Sequence, residues 1–355
     1  MTHAEYGASR TAAARWTGVA ALFTDQDGRI VLEEVDYRDV CLPPGGGVDI
    51  GEPPSAAMRR EAQEELGLLR RFARVLAVDW IPPTAPGHNP AMGFPGEIIT
   101  VFDGGALTEE DLQSVRLPGR EVIGLRHVEP AHLGDHMASG DARRLMAALR
   151  ARINGAGPAV LEDGRPLTPS LLDKLQMLRT ARKPQRWAWR GEPVTPGLPV
   201  RQSWGWLFAP DGRVLVLIGQ DTGSACLPGG TLEPRDHGDP TAALHREAQE
   251  EAQVSIGEPL YLGYLYDNTG QEGQDAAGPC ARVRMAACIT TVGPSGRDEA
   301  SSQTYTRVLA TVEQAAELFD WGPDTRSQTE AAHAAREQLR LPRPARQPVT
   351  ELQPG

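Results

Sequence analysis

Two segments of this chain place carboxylates at helical spacing directly behind a glycine-rich loop. The first is Arg60-Glu61-Ala62-Gln63-Glu64-Glu65-Leu66-Gly67-Leu68 behind Gly45-Gly46-Gly47, and the second is Arg246-Glu247-Ala248-Gln249-Glu250-Glu251 behind Gly229-Gly230. At about 100° per residue, Glu61, Glu64 and Glu65 fall within an arc of roughly 100° on one side of a helix. Like charges so placed repel by a few tenths of a kcal/mol per pair, and a bound cation reverses that sign. Most charge runs are solvated faces. Here Met58, Ala62 and Leu66 form the apolar stripe, and Glu65 lies only about 60° from its centre. Leu244, Ala248 and Ala252 stand in the same relation to Glu247, Glu250 and Glu251. Both helices therefore direct carboxylates toward the margin of a core. Uncompensated charge is costly there, and a hard divalent cation with oxygen ligands is the natural compensation.

The flanking residues fit a phosphate site. Gly45-Gly46-Gly47 follows Leu42-Pro43-Pro44, and such a triplet lets a ligand approach the main chain closely. A glycine triplet alone is usually a turn; its fixed offset from the acidic helix gives it meaning. Pro53 and Pro54 suit a first helical turn, and Gly67 suits the helix stop. In the second copy Asp239-Pro240 supplies an N-cap followed by Pro at the first helical position.

Taken together, Gly46, five residues, Glu52, seven residues and then Arg60 through Leu68 resemble the complete signature of the Nudix hydrolases. The resemblance implies that Glu61, Glu64 and Glu65 ligate Mg²⁺ or Mn²⁺ and that Arg60 holds a glutamate in place. It also implies that Gly46 lends its backbone to metal or phosphate, with Gly45 and Gly47 completing the loop and Glu52 in a supporting role. The second copy, a second candidate site of Gly230, Arg246, Glu247, Glu250 and Glu251, departs from the pattern. Gly230 to Arg246 is two residues longer than Gly46 to Arg60, Gln253 replaces the helix-ending glycine, and Gly238 takes the place of Glu52. Its ligands survive while its loop departs from the pattern in length, so cation binding is expected there rather than turnover.

The family also recruits a carboxylate from a loop beyond the helix, as a metal ligand or as the base acting on the attacking water. Glu121, just before Val122 to Val128, sits where that pattern places it. The alternative is an ordinary loop glutamate, and Glu97, Glu109 and Glu110 are rivals. The second copy has no Glu around Thr304-Tyr305-Thr306. Metal ions held by clustered carboxylates orient a diphosphate and lower the pKa of a bound water, and hydrolysis then needs only positioning and charge stabilisation. The expected reaction is metal-dependent hydrolysis of a nucleoside diphosphate linked to another group. Pro82-Pro83 resembles the mark of the ADP-ribose-type members, which puts ADP-ribose or a related dinucleotide ahead of the alternatives, nucleoside triphosphates and sugar nucleotides. A nucleotide sensor without turnover, or catalysis in both copies, remains an alternative.

The elements that must position these groups also repeat. Asp27-Gly28-Arg29 matches Asp211-Gly212-Arg213 at the spacing of the two acidic helices, about 185 residues, which is domain duplication rather than a solenoid period. Val19 to Phe23 and Ile30 to Leu32 read as a hairpin before the first loop, and Trp206 to Phe208 with Val214 to Ile218 do the same before the second. Further strands are expected at Ala73 to Trp80, Ile98 to Phe102, Leu260 to Tyr266 and Val283 to Thr290, with helices at Ala142 to Arg152, Ser170 to Leu178 and Gln328 to Leu339. The class expected is α+β: two α/β/α sandwich domains, each a mixed sheet flanked by helices. The divisions expected are 1–15 flexible, 16–155 first domain, 156–200 connecting segment and linker, 201–342 divergent second domain and 343–355 flexible tail.

Composition sets limits. A formal net charge of -11 over 355 residues disfavours a nucleic-acid polymer as partner, and a small nucleotide substrate is expected instead. No apolar run reaches membrane-spanning length and no signal peptide precedes the first strand, so a cytoplasmic protein is expected. Cys41, Cys226, Cys280 and Cys288 lack zinc spacing, and Cys41 and Cys226 are read as equivalent pre-loop positions. Trp187, Trp189, Trp204 and Trp206 read as core or interface anchors, with base stacking as the alternative. Pairing of the two domains and a homodimer both stay open.

Overall fold

Strand β1, Trp16–Thr24, is apolar without alternation and buried at all but one of its positions, the pattern of a strand covered on both faces. The computed structural model, which describes residues 15–85, 93–155, 157–175, 187–220, 223–268, 278–296, 304–319 and 325–354, bears this out. It divides into two units, Met1–Lys174 and Leu175–Gly355.

In the first unit, β2 (Ile30–Val35) follows β1, and β3 (Gly45–Gly47) holds the glycine triplet. Helix α1, Pro54–Leu66, leads to β4 (Val75–Ile81) and β5 (Glu97–Ala106). Then come α2 (Glu109–Ser114), β6 (Val122–Val128), α3 (Ser139–Asn154), β7 (Ala159–Glu162) and β8 (Arg165–Pro166). The sheet order is β6-β2-β1-β5-β4-β7-β8, with β3 on β1, and the β1–β5 and β4–β7 pairs are parallel. Val19, Ala21, Phe23 and Val31 pack with Ala57, Met58, Ala62 and Leu66 of α1. The other face meets α3, whose buried Arg144 donates to Asp79 of β4 at 2.7 Å.

The second unit repeats the plan. Its strands are β9 (Ala188–Arg190), β10 (Val200–Phe208), β11 (Val214–Gly219), β12 (Ala225–Cys226) and β13 (Gly229–Thr231). Helix α4 (Pro240–Ala252) precedes β14 (Val254–Ile256), β15 (Leu260–Asp267), β16 (Cys280–Val292) and β17 (Tyr305–Ala310). Helices α5 (Val312–Phe319) and α6 (Thr325–Gln338) and strand β18 (Thr350–Glu351) close it. The order is β18-β17-β11-β10-β16-β15-β9, with β10 and β16 parallel as β1 and β5 are.

Three expectations need correction. The segment 156–200 is not a connector throughout: β7 extends the first sheet beyond β4, and β9 extends the second beyond β15. Residues 176–186, the middle of the expected linker, lie outside the described residues, as do residues 1–14 of the expected flexible N-terminus. The tail 343–355 carries β18, paired with β17 through Val308 and Glu351, with Val349 and Leu352 buried. Two apolar side chains and an open sheet edge suffice to dock it. Last, Glu33 bridges Leu42 where Leu217 pairs with Cys226, so Leu42, not Cys41, is the equivalent of Cys226. All four cysteines are free. Trp206 is a core residue, edge-on to Phe319 at 5.9 Å, while Trp187 stacks under the Arg282 guanidinium at 3.9 Å.

Candidate functional site

Helix α1 starts at Pro54 and stops at Gly67, whose φ of 71° is the left-handed conformation that glycine adopts at no steric cost. Between these ends Arg60 organises the acids. Its Nη1 donates to Glu61 at 2.8 Å and Glu64 at 3.2 Å, its Nη2 to the Gly47 carbonyl at 2.9 Å, and its Nε and Nη2 to Glu52 at 3.2 and 3.0 Å. The hydrogen bond from Arg60 holds the Glu52 carboxyl below the usual range. Loop and helix are thereby tied by one guanidinium.

The glycines are required sterically. Gly45 has φ 146°, and a Cβ there would stand 2.2 Å from the Val19 carbonyl; its N–H donates to Glu65 at 2.8 Å. A Cβ on Gly46 would stand 2.5 Å from Glu61 Oε1, so the Glu61 carboxylate lies against bare backbone. Burial pushes Glu61 up, opposed by Arg60. Glu65 rises too, from burial first, against the Gly45 N–H.

One residue of this cluster was not read from the sequence. Glu33, on β2 beneath α1, is buried and shares a hydrogen bond with Glu65, and burial followed by the Glu65 charge drives its carboxyl far above the usual range. Its Oε1 has no partner. The only sequence signal was a glutamate at the inward position of a strand otherwise apolar on that face, Val31 and Val35 being its neighbours.

Glu121 joins the cluster. Its charge acts on Glu33, Glu61 and Glu65, and its φ of 70° is unusual for a residue with a side chain. Two bonds to Asp36 hold that backbone: Glu121 N–H to Oδ2 at 3.1 Å and Asp36 N–H to the Glu121 carbonyl at 3.0 Å. Strained backbone so held gathers at functional sites. Of its rivals, Glu109 and Glu110 lie in the exposed first turn of α2, and Glu97 lies over Gly18.

The second unit keeps the same plan, contrary to the expectation from its longer loop. Arg246 Nη1 donates to Glu247 and Glu250, both at 2.9 Å, and Nη2 to the Thr231 carbonyl at 2.9 Å. The Gly229 N–H donates to Glu251 at 2.9 Å, and a Cβ on Gly230 would stand 2.4 Å from Glu247 Oε1. The place of Glu52 is filled not by Gly238 but by Asp236, which accepts from Arg246 at 3.0 and 2.9 Å. The two extra residues are absorbed in a 3₁₀ turn, Pro234–Asp236, that presents this carboxylate. Gln253 takes the left-handed cap at φ 49°, held by Nε2 to the Glu250 carbonyl at 2.8 Å. Two carboxylates have no counterpart: Leu217 stands at the register of Glu33, and Thr304, whose carbonyl accepts from Gln220 as that of Glu121 does from Asp36, stands at the register of Glu121.

Among the described residues no three His, Cys, Asp or Glu side chains are close enough together to hold an ion as they stand. Arg60 draws Glu61 and Glu64 to itself, and the acids repel one another. The donor set nevertheless fits a hard divalent cation: oxygen atoms only, two carboxyls whose proton affinity is raised by burial, an orphaned buried oxygen on Glu33, and bare backbone at Gly46.

Residues 14–149, within the first unit, match the family model for the NUDIX domain. The MutT protein of Methanosarcina mazei Go1 is similar over 39% of this chain and 93% of its own, at 21% identity and a TM-score of 0.31. An ADP-ribose pyrophosphatase from Streptococcus suis 89-1591 is similar over 41% and 98%, at 18% identity and 0.30. The NUDIX domain of Shewanella oneidensis NrtR, solved with ADP ribose, is similar over 42% and 97%, at 16% identity and 0.30. No curated protein matches the chain. Among the described residues no helix is long and apolar enough to cross a membrane.

Proposed function

We propose that the first domain hydrolyses the diphosphate linkage of a nucleoside diphosphate bonded to another group, with Mg²⁺ or Mn²⁺ as cofactor. The observation that carries this reading is the set of partly buried, mutually repelling carboxyls facing bare glycine backbone, at Glu61, Glu65 and Gly46. Glu61, Glu64 and Glu65, with the Gly46 backbone, would hold the ion. Bound there, a divalent cation neutralises diphosphate charge and makes hydroxide available near neutral pH. Arg60 fixes Glu61 and the Gly47 carbonyl, Glu52 fixes Arg60, and the Gly45 N–H fixes Glu65. Glu121, at the edge of the cluster, takes the proton from the attacking water at its carboxylate. Pro82 and Pro83, about fifteen residues past the signature, make ADP-ribose or a related dinucleotide the first substrate to try.

The second domain is proposed as a cation or nucleotide binder without turnover. The specific observation is that it retains the Arg246 network and the Gly229 to Glu251 bond but has Leu217 and Thr304 where the first has Glu33 and Glu121. Four free cysteines suit a reducing compartment, and we assign the cytoplasm.

The test is a panel of nucleoside diphosphate derivatives, sugar nucleotides and nucleoside triphosphates incubated with the full chain and Mg²⁺ or Mn²⁺. Cleavage of a diphosphate linkage that survives Glu247→Gln with Glu251→Gln supports the assignment. Cleavage abolished by that pair but not by Glu61→Gln with Glu65→Gln would move catalysis to the other domain. Tight binding with no cleavage of any member would make the chain a nucleotide sensor.

A further inference from the structure

Five acidic side chains are buried among the described residues: Asp25, Glu33, Asp79, Asp236 and Asp267. Four of them are held by arginines, Asp25 by Arg29, Asp79 by Arg144, Asp236 by Arg246 and Asp267 by Arg282, at 2.7 to 2.9 Å. Glu33 is the exception. The charges acting on it are those of Glu65, Glu61 and Glu121, all of its own sign. One carboxyl oxygen is engaged with Glu65, and Oε1 is buried without a partner. A buried carboxyl surrounded by carboxyls is costly, and the homologous position shows what packing alone prefers. Leu217 fills it in the second domain, inside the core cluster with Leu244 and Ala248. The glutamate therefore answers to something other than packing, and it lies beneath the face of α1 that carries Glu61 and Glu65.

We propose that Glu33 is a further ligand-bearing residue of the first domain's cation site, so that this site draws oxygens from strand β2 as well as from helix α1. The proposal rests on the reading of α1 as a divalent-cation site and adds to it a carboxylate from outside the signature. It also separates the two domains chemically: a cation at the first site meets an acid on the strand side, and a cation at the second meets Leu217.

The experiment is a Mn²⁺ titration of the full chain, with free ion counted by electron paramagnetic resonance, on wild type, Glu65→Gln, Glu33→Gln and Glu33→Leu. Glu65→Gln identifies which binding class belongs to the first domain. Glu33→Gln is expected to weaken that class by about 10- to 100-fold, the range found when a residue supporting a metal site is removed, and to leave the other class unchanged. Melting curves without metal give the second readout. Glu33→Leu should melt no lower than wild type, because an uncompensated buried acid is lost, while the rise in Tm on adding Mn²⁺ shrinks. First-domain affinity indistinguishable from wild type in Glu33→Gln overturns the proposal. So does weakened affinity accompanied by an equal fall in metal-free Tm in that variant, which keeps the side-chain shape and decides the matter if Glu33→Leu does not fold. A wild type that binds no Mn²⁺ overturns the reading of the site itself, and the proposal with it.

Discussion

In the first domain Arg60 ties Glu61, Glu64 and Glu52 to the Gly47 carbonyl; in the second Arg246 ties Glu247, Glu250 and Asp236 to the Thr231 carbonyl. Gly45 and Gly229 share a φ of 146° and each donates to the last glutamate of its helix. The two loops differ in length by two residues and converge on one geometry, because the arginine needs a carboxylate in that place and Asp236 reaches it from a turn. What differs lies outside the helix: Glu33 against Leu217, and Glu121 against Thr304. The helix and loop are thus shared by the two domains, and the proposed division between catalysis in the first and binding in the second rests on side chains of neighbouring strands and loops.

The comparison breaks most visibly under paired removal of ligands. Glu61→Gln with Glu65→Gln should cut diphosphate hydrolysis by on the order of 10³-fold, the several kcal/mol a cation contributes to charge stabilisation. The matching pair Glu247→Gln with Glu251→Gln should leave the rate near wild type, and steady-state assays on one substrate decide it. Glu121→Gln comes next, with kcat lowered by about 10²-fold and KM little changed, as for loss of a general base. Thr304→Ala should change neither. A Glu121→Gln enzyme at full speed would return Glu121 to the ordinary loop glutamates.

A third difference is one of stability against pH in metal-free protein. Burial pushes Glu65 up to about 8 in the fold, from 4.5 in the unfolded chain. Below pH 4.5 both states hold the proton and the contribution is complete. Between there and about 8 only the unfolded chain releases it, so stability falls with rising pH, by up to about 1.4 kcal/mol per unit for one proton. Thermal melts across this window should show that slope, and saturating Mg²⁺ should flatten it. Glu33→Leu, which copies Leu217, should flatten it in part; a slope untouched by either would place its origin elsewhere.

The smallest effect concerns the arginine anchors. Asp236 is 3% exposed in its ion pair and Glu52 is 18% exposed. Asp236→Asn should therefore cost the second domain about 2 kcal/mol, and Glu52→Gln the first about 1 kcal/mol. Chemical denaturation followed by fluorescence would measure both, and equal costs would show that burial does not distinguish the two anchors.

Much of this was legible beforehand because it is local. The spacing of Glu61, Glu64 and Glu65 against Met58, Ala62 and Leu66 is a property of one helix. Pro54 and Gly67 mark its ends, and the repeat of Asp27-Gly28 at Asp211-Gly212 points to a second copy without any contact. Glu33 was not legible, because a glutamate beside Glu34 on a strand looks solvated until the register of β2 and β6 and the packing of α1 bury one and leave the other beside Arg126. Nor was Asp236, since counting back from Arg246 assumes a loop of fixed length, whereas a hydrogen bond fixes only the position of the carboxylate. The tail around β18 needed an open edge on β17 to become a strand. The sequence by itself determined two acidic helices, two glycine loops and the chemistry they can support. Tertiary structure alone decided which further acids reach them, because burial and strand register bring together residues whose separation along the chain carries no such information.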